Sequence, residues 1–236
     1  MHKKLLSNSK IRKNGGKIMT VQEAIKTRHS VRSYSQQKIS SEIIAELQSE
    51  ITDCNLESGL HIQLIVDEPK AFDSLLAHYG KFKNVANYVA LVGKKGKDLD
   101  EKLGWYGERI ALKAQQLGLN SCWVAATYSK RKCTAQIETN EKLRCVIALG
   151  YGETAGVPHK SKELTSLCNV DGEMPAWFRD GMEAALLAPT AVNQQKFLFS
   201  LSGDKVTAVS TGGFFSKVDL GIVKYHFELG AGKDCF

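Results

Sequence analysis

Apolar positions recur along this chain at two spacings, and the spacing changes from one segment to the next. Thr20-Val21-Gln22-Glu23 fits the pattern in which a Thr and a Glu reciprocally satisfy free backbone N–H groups, so a helix is expected to start there. Ser40 offers a second N-cap, after which Ile43, Ile44, Leu47 and Ile51 fall on one helical face. His61-Ile62-Gln63-Leu64-Ile65-Val66 reads as a strand, and Tyr88-Val89-Ala90-Leu91-Val92-Gly93 as a buried one. Residues 101–117 return to helical spacing through Leu103, Tyr106, Ile110, Ala114 and Leu117, with a stop at Gly118. Cys145-Val146-Ile147-Ala148-Leu149-Gly150 is a further core strand, leading through Tyr151-Gly152-Glu153 into a polar loop at 157–162.

Past Pro175 a similar order begins again. Trp177 to Leu187 is helical, Ala188 to Gln195 is a loop, and Lys196 to Leu201 is a strand. Lys205 to Ser210 makes a hairpin with it through Gly203-Asp204, and Val218 to Leu229 is a last helix. Helix, loop and strand at 42–67 thus correspond to helix, loop and strand at 177–202. The stretch Leu117-Gly118-Leu119-Asn120-Ser121-Cys122-Trp123, read as the turn leaving the long helix, is similar to the chain's end, Gly230-Ala231-Gly232-Lys233-Asp234-Cys235-Phe236. The expectation is an α+β fold of two related halves that pack about a pseudo-twofold axis.

With 236 residues, 43% hydrophobic and 24% charged, the composition is that of an ordinary globular protein. The formal net charge of +7 points toward nucleic acid, but its distribution points away. Residues 1–18 hold Lys3, Lys4, Lys10, Arg12, Lys13 and Lys17 and no acid, which leaves 26 basic against 25 acidic residues beyond them. A nearly neutral body lacks the basic stripe of a nucleic-acid binder. The leader 1–18 is expected to be disordered, and Met19 is a candidate for the natural start. No stretch reaches the roughly 18 apolar residues that a membrane helix needs, and no secretory h-region is present. The six cysteines, Cys54, Cys122, Cys133, Cys145, Cys168 and Cys235, show neither a C-x-x-C pair nor a nearby His at ligand spacing. They read as free thiols of a cytoplasmic protein, with no metal site.

Candidate chemistry gathers at Arg28-His29-Ser30-Val31-Arg32, just past the first helix. Two guanidiniums, a titratable ring and a hydroxyl in five residues suit a phosphate or an electron-rich ring edge. Ala188-Pro189-Thr190-Ala191-Val192-Asn193-Gln194-Gln195-Lys196-Phe197 is the second distinctive stretch. Together the two resemble the paired signatures of the nitroreductase family of flavoproteins: Arg-Arg/His-Ser-x-Arg and an aromatic, then Ala-Pro-Ser/Thr, two residues and Asn-x-Gln. Gly118-Leu119-Asn120-Ser121-Cys122-Trp123, and Gly150-Tyr151-Gly152 followed by Lys160-Ser161-Lys162, add support. The resemblance spans 19–236, with a first half of 19–165 and a second of 166–236. In ordinary members the Pro-Ser/Thr motif follows soon after the Arg-Ser motif, whereas here it lies about 160 residues later.

That resemblance implies an FMN-dependent, nitroreductase-like oxidoreductase with the usual homodimer folded into one chain as an internal pseudo-dimer with one flavin site. Arg28, Ser30, His29 and Arg32 would grip the phosphate or ring edge, and Lys160 and Lys162 would form a second phosphate clamp. Pro189, Thr190 and Ala191 would lie on the ring, with Asn193 bracing their loop. Tyr79 and Gly80 sit where the family places another ring contact, and Lys83 would stand near the N1–C2 edge. Ala125 and Ala126 occupy the turn facing N5, where many relatives carry Glu-Gly; Trp123 is assigned to the core, and Cys122 to inert core. NAD(P)H would be the co-substrate, the acceptor a nitroaromatic, quinone or similar flat small molecule, and no catalytic side chain is named. A flavin binder without turnover, reductive dehalogenation and flavin destruction are the alternatives. A monomer or weak homodimer that binds neither nucleic acid nor membrane is expected.

Overall fold

The computed structural model describes residues 19–236, so the leader at 1–18 and its expected disorder lie outside the described residues. Helix α1 (Val21–Thr27) starts with the anticipated reciprocal cap: Glu23 N donates to Thr20 Oγ1 at 3.1 Å and Thr20 N donates to Glu23 Oε2 at 2.7 Å. Helix α2 (Ser41–Ser58) is capped by Ser40 and closed by Gly59 in the left-handed conformation, φ 71°. It buries Ile43, Leu47 and Ile51 of the face predicted for it, with Cys54 added, while Ile44 is half-buried. Then come β1 (Gln63–Ile65), the short α3 (Leu75–Tyr79), β2 (Asn87–Lys94), α4 (Leu99–Gln116), β3 (Asn120–Val124) and β4 (Glu141–Gly150). The rest of the chain forms β5 (Cys168–Val170), α5 (Ala176–Leu186), β6 (Phe197–Ser202), β7 (Lys205–Ser210) and α6 (Ser216–Ala231).

The strands make two separate sheets. In the first, the order is β1-β2-β4-β3 with every pair antiparallel; Val89 of β2 faces both Leu64 of β1 and Ile147 of β4. In the second, β6 is central, parallel to β5 and antiparallel to β7. One apolar core joins both sheets through α2, α4, α5 and α6, with Leu103, Ile110, Phe178, Phe199, Val223 and Phe227 among its closed residues.

Two expectations change. The stretch after Gly118 is a strand rather than a turn: Gly118 makes the turn at φ 81°, and Asn120 to Val124 then pairs with β4 from Gly150 to Val146. Its polar Asn120 and Ser121 break the apolar run that would have marked a strand; Ser121 is buried regardless. The repeated order also acquires different neighbours in its two copies. Strand β1 is an edge strand antiparallel to β2, whereas β6 is central, and the chain's last residues form no strand where the first half has β3.

Helices α4 and α6 pack across each other, and the crossing is reciprocal. A Cβ on Gly104 would fall on the carbonyl oxygen of Val218, and a Cβ on Gly221 would fall on that of Glu101. Each glycine therefore rests on the carbonyl three residues before the other. Neither position has room for a methyl against rigid backbone. Gly221→Ala is expected to force the helices apart and cost about 3 kcal/mol. Urea unfolding checks this: the midpoint should fall while the slope holds.

Candidate functional site

At the end of α1 the chain leaves helical geometry at Arg28, φ −72° and ψ 115°, and runs extended. Val31 N donates to Ser121 O at 3.1 Å and Lys83 N donates to Arg32 O at 2.9 Å, so the segment is stitched between the start of β3 and residue 83. Tyr34, 1% exposed, anchors it by donating to the Val31 carbonyl at 2.7 Å. That route turns Arg28 inward, where its Nε lies 3.5 Å from Oε1 of Glu108 on α4. Arg28 is 3% exposed and Glu108 is fully closed off.

Glu108 holds three elements at once. Trp123 Nε1 of β3 donates to its Oε2 at 2.7 Å, and His226 Nε2 of α6 meets its Oε1 at 2.9 Å. His226 Nδ1 lies 3.1 Å from the Ala184 carbonyl, which can only accept, so Nδ1 carries a proton. Arg28 Nε and Nη1, although buried, have no hydrogen-bond acceptor among the described residues. A guanidinium with unused buried donors is an anion-directed group.

From the second half, Pro189 to Gln195 forms a tightly folded loop. Val192, Asn193 and Gln195 all take positive φ, 48°, 55° and 46°, a cost that the bonds of the loop offset. Gln195 N donates to Thr190 Oγ1 at 3.0 Å, and Gln195 Nε2 donates to Asn193 Oδ1 at 2.9 Å and to the Lys160 carbonyl at 3.0 Å. Asn193 Nδ2 donates to the same carbonyl at 2.9 Å. Asp219, in the first turn of α6, receives the Ala191 N–H at 3.0 and 3.2 Å and Gln194 Nε2 at 2.7 Å. Burial pushes its carboxyl up to about 6 against those two donors.

These pieces surround one cavity of about 340 Å³, within the range of small-molecule sites. It brings together Arg28, His29, Ser30 and Arg32 from the first half and Pro189, Thr190, Ala191 and Asn193 from the second. Ala125 borders it too, and so does Trp123, which the sequence assigns to the core. Burial, then repulsion from Arg28 and His159, lowers the pKa of His29, so the ring is biased toward its neutral form. Cys145, another bordering residue, is pushed up to about 12 by burial and stays a thiol. Cys122 is 1% exposed and burial likewise raises it, in keeping with an inert core position.

Other expected contributors lie elsewhere. Lys162 Nζ donates to the carbonyls of Gln194 and Gln195 at 2.9 and 3.1 Å, which makes this amine a strut of the positive-φ loop. Lys160 enters through its carbonyl, and its side chain does not border the cavity. Lys83 pairs with Glu153 at 3.0 Å, Tyr79 is 86% exposed, and Gly80 packs against Thr127. Ala126 is exposed in the turn beyond Ala125 and is not part of the lining. Glu108, His226 and Asp219 went unnoticed in the sequence. Asp219 looks there like any first-turn acid favoured by a helix dipole, and Glu108 like one more charge on a charge-rich helix.

The chain belongs to the family described as "Putative TM nitroreductase", whose model matches residues 20–231. Among solved structures it is similar to a putative nitroreductase of Thermotoga maritima, with 22% identity over 94% of this chain and 88% of that one at a TM-score of 0.67. It is also similar to a putative nitroreductase of Desulfovibrio desulfuricans solved in complex with FMN: 16% identity, 70% of this chain, 99% of that one, TM-score 0.50. No curated protein matches the chain. Among the described residues no helix is long and apolar enough to cross a membrane.

The buried charges make a stability prediction. Glu108→Gln keeps the shape of the side chain but leaves Arg28 and His226 without their anion, and a loss of about 3 kcal/mol is expected. Denaturant unfolding of the variant beside the parent measures it.

Proposed function

We propose that this protein is an FMN-dependent oxidoreductase that takes hydride from NAD(P)H and passes it, by ping-pong turnover, to a nitroaromatic, quinone or similar flat acceptor. The observation that carries the reading is the cavity where the buried, unsatisfied Arg28 guanidinium meets the Pro189–Asn193 loop. Family membership and the FMN complex of the Desulfovibrio protein support it. Bound FMN would supply acceptance of hydride from a nicotinamide and its donation to an acceptor. Arg28, always protonated and fixed by Glu108, would hold the phosphate or an electron-rich edge of the ring. Arg32 would add charge, and Ser30 a hydroxyl. Pro189, Thr190 and Ala191 would pack on the ring, with the loop held in shape by Asn193, Gln195 and Lys162. The bordering Ala125 would face N5.

The site draws on both halves, so one flavin per chain and an internal pseudo-dimer follow from the same proposal. The reciprocal glycine crossing of α4 and α6 supports that arrangement. A soluble cytoplasmic enzyme, monomeric or weakly dimeric, completes the reading.

Purified protein should be yellow, bleach on anaerobic addition of NADH or NADPH, and recover colour on addition of a quinone. Protein that stays colourless after incubation with FMN rejects the proposal, and yellow protein that neither nucleotide bleaches restricts it to flavin binding.

Arg28 tests the phosphate or ring contact directly. Arg28→Lys keeps a cation beside Glu108 but loses the planar fork. FMN affinity should drop roughly 10- to 100-fold, from the loss of one or two charge-assisted hydrogen bonds. Fluorescence titration of the apoprotein with FMN reads the change.

A further inference from the structure

Asp219 is the one carboxylate bordering the cavity among the described residues, 4% exposed and without an ion-pair partner there. Its three contacts come from neutral donors, the Ala191 N–H to both oxygens and Gln194 Nε2 to Oδ2. A helix dipole does not account for such burial, because the first turn of a helix favours an acid that stays in water.

The charged and titratable groups near it are otherwise occupied or only share the cavity. Arg28, His29, Arg32 and His159 border the same cavity, and the carboxylate's hydrogen bonds among the described residues come from Ala191 and Gln194 instead. From β4 comes Cys145, held as a thiol, and its neighbour Arg144 is engaged by Asp100 of α4 through two bonds of 2.6 Å each and lies over the Phe215 ring. On α6 itself, His226 is committed to Glu108.

We propose that Asp219 is the proton donor of this cavity, delivering the proton that must accompany hydride into the acceptor. The inference rests on the flavin-oxidoreductase reading and adds a catalytic side chain to it. For a quinone the balance is complete. Hydride that originates from NAD(P)H forms one new bond to hydrogen on the quinone, and the displaced π electrons move to a carbonyl oxygen. The O–H bond of Asp219 breaks, its proton bonds that oxygen, and the electron pair stays on the carboxylate. The quinone leaves as hydroquinone, the nicotinamide ends oxidised by two electrons, and solvent returns a proton to Asp219.

A carboxyl poised at about 6 is partly protonated near neutrality, which suits a donor. The sign of the pH effect follows. The acceptor half-reaction should quicken as pH falls through about 6 and level off below, since only the protonated acid donates. The nicotinamide half-reaction consumes no proton from this group and should lack that limb.

Asp219→Asn tests the proposal in single-turnover experiments, because it keeps the shape and one acceptor oxygen for the Ala191 N–H, at the expense of the Gln194 bond, while removing the acid proton. Measured on FMN-saturated protein, the rate of bleaching by NAD(P)H is the internal reference for the other half-reaction. Reoxidation by quinone should slow about 100-fold and lose its pH limb. A second measurement is independent of turnover: carbon NMR of aspartate-labelled parent protein should show a buried carboxyl titrating near 6 that is missing in the variant. The proposal is overturned if reoxidation keeps its rate and pH limb. It is equally overturned if the variant loses FMN or slows both half-reactions alike, which would make Asp219 a clasp for the Ala191 loop, or if no carboxyl titrates there. A parent protein that NAD(P)H cannot bleach instead fails the underlying reading, before any variant is compared.

Discussion

Two glycines set the distance between α4 and α6, and much of the molecule follows from that distance. Gly104 and Gly221 let each helix backbone rest directly on a carbonyl of the other, closer than any side chain allows. Glu108 lies one turn beyond Gly104, and His226 little more than one turn beyond Gly221. The close approach therefore brings a carboxylate and an imidazole to 2.9 Å in a region with no solvent. The same approach places the first turns of α6, with Val218, Asp219 and Ile222, on the cavity that Arg28 borders. Helices a methyl group farther apart would lose the ion cluster and the cavity wall together.

The ion cluster then decides where Arg28 points. A guanidinium buried in a protein costs several kcal/mol unless an anion meets it. Glu108 provides that anion from α4 but is shared with Trp123 and His226, so it covers only part of the Arg28 fork. The buried remainder has no acceptor among the described residues. Glu108 thus explains how a cation is retained in the interior while part of its hydrogen-bonding capacity stays unused. The loop on the other half of the site is organised by the same rule with different atoms. Lys162 closes the carbonyls of Gln194 and Gln195, and the amides of Asn193 and Gln195 tie the loop to the Lys160 carbonyl.

What the sequence discloses depends on how local the controlling physics is. Strand β2 and the 145–150 part of β4 are apolar runs and can be read directly, as can the helix caps at Thr20 and Ser40, whereas the polar start of β4 at 141–144 escapes notice. Strand β3 is masked because Asn120 and Ser121 interrupt its apolar character, and its strand conformation comes from pairing with β4, far away in sequence. Short α3 has too few residues to show a period. In the site, Arg28 to Arg32 and Pro189 to Asn193 stand out as compact motifs. Lys83 and Lys162 are read as cations for a ligand because charge is visible in a sequence; the contacts their amines make with Glu153 and with two carbonyls are not. Glu108 and Asp219 are hidden for the converse reason. Each is an ordinary acid in a helix until another element buries it.

Burial gives these two carboxylates different partners. Glu108 is surrounded by Arg28, His226 and the indole N–H, and it ties α1, β3 and α6 to α4. Asp219 is met only by a backbone N–H and an amide, donors too weak to offset desolvation, so its proton is held less loosely than that of a solvated aspartate. Both sit on helices that cross at the two glycines, yet one is sealed in the core and the other borders the cavity. An acid sealed in with cations can only hold its partners in place. An acid desolvated at a cavity, with no cation of its own, can exchange a proton with whatever the cavity admits, and that difference in partners separates scaffold from chemistry in this fold.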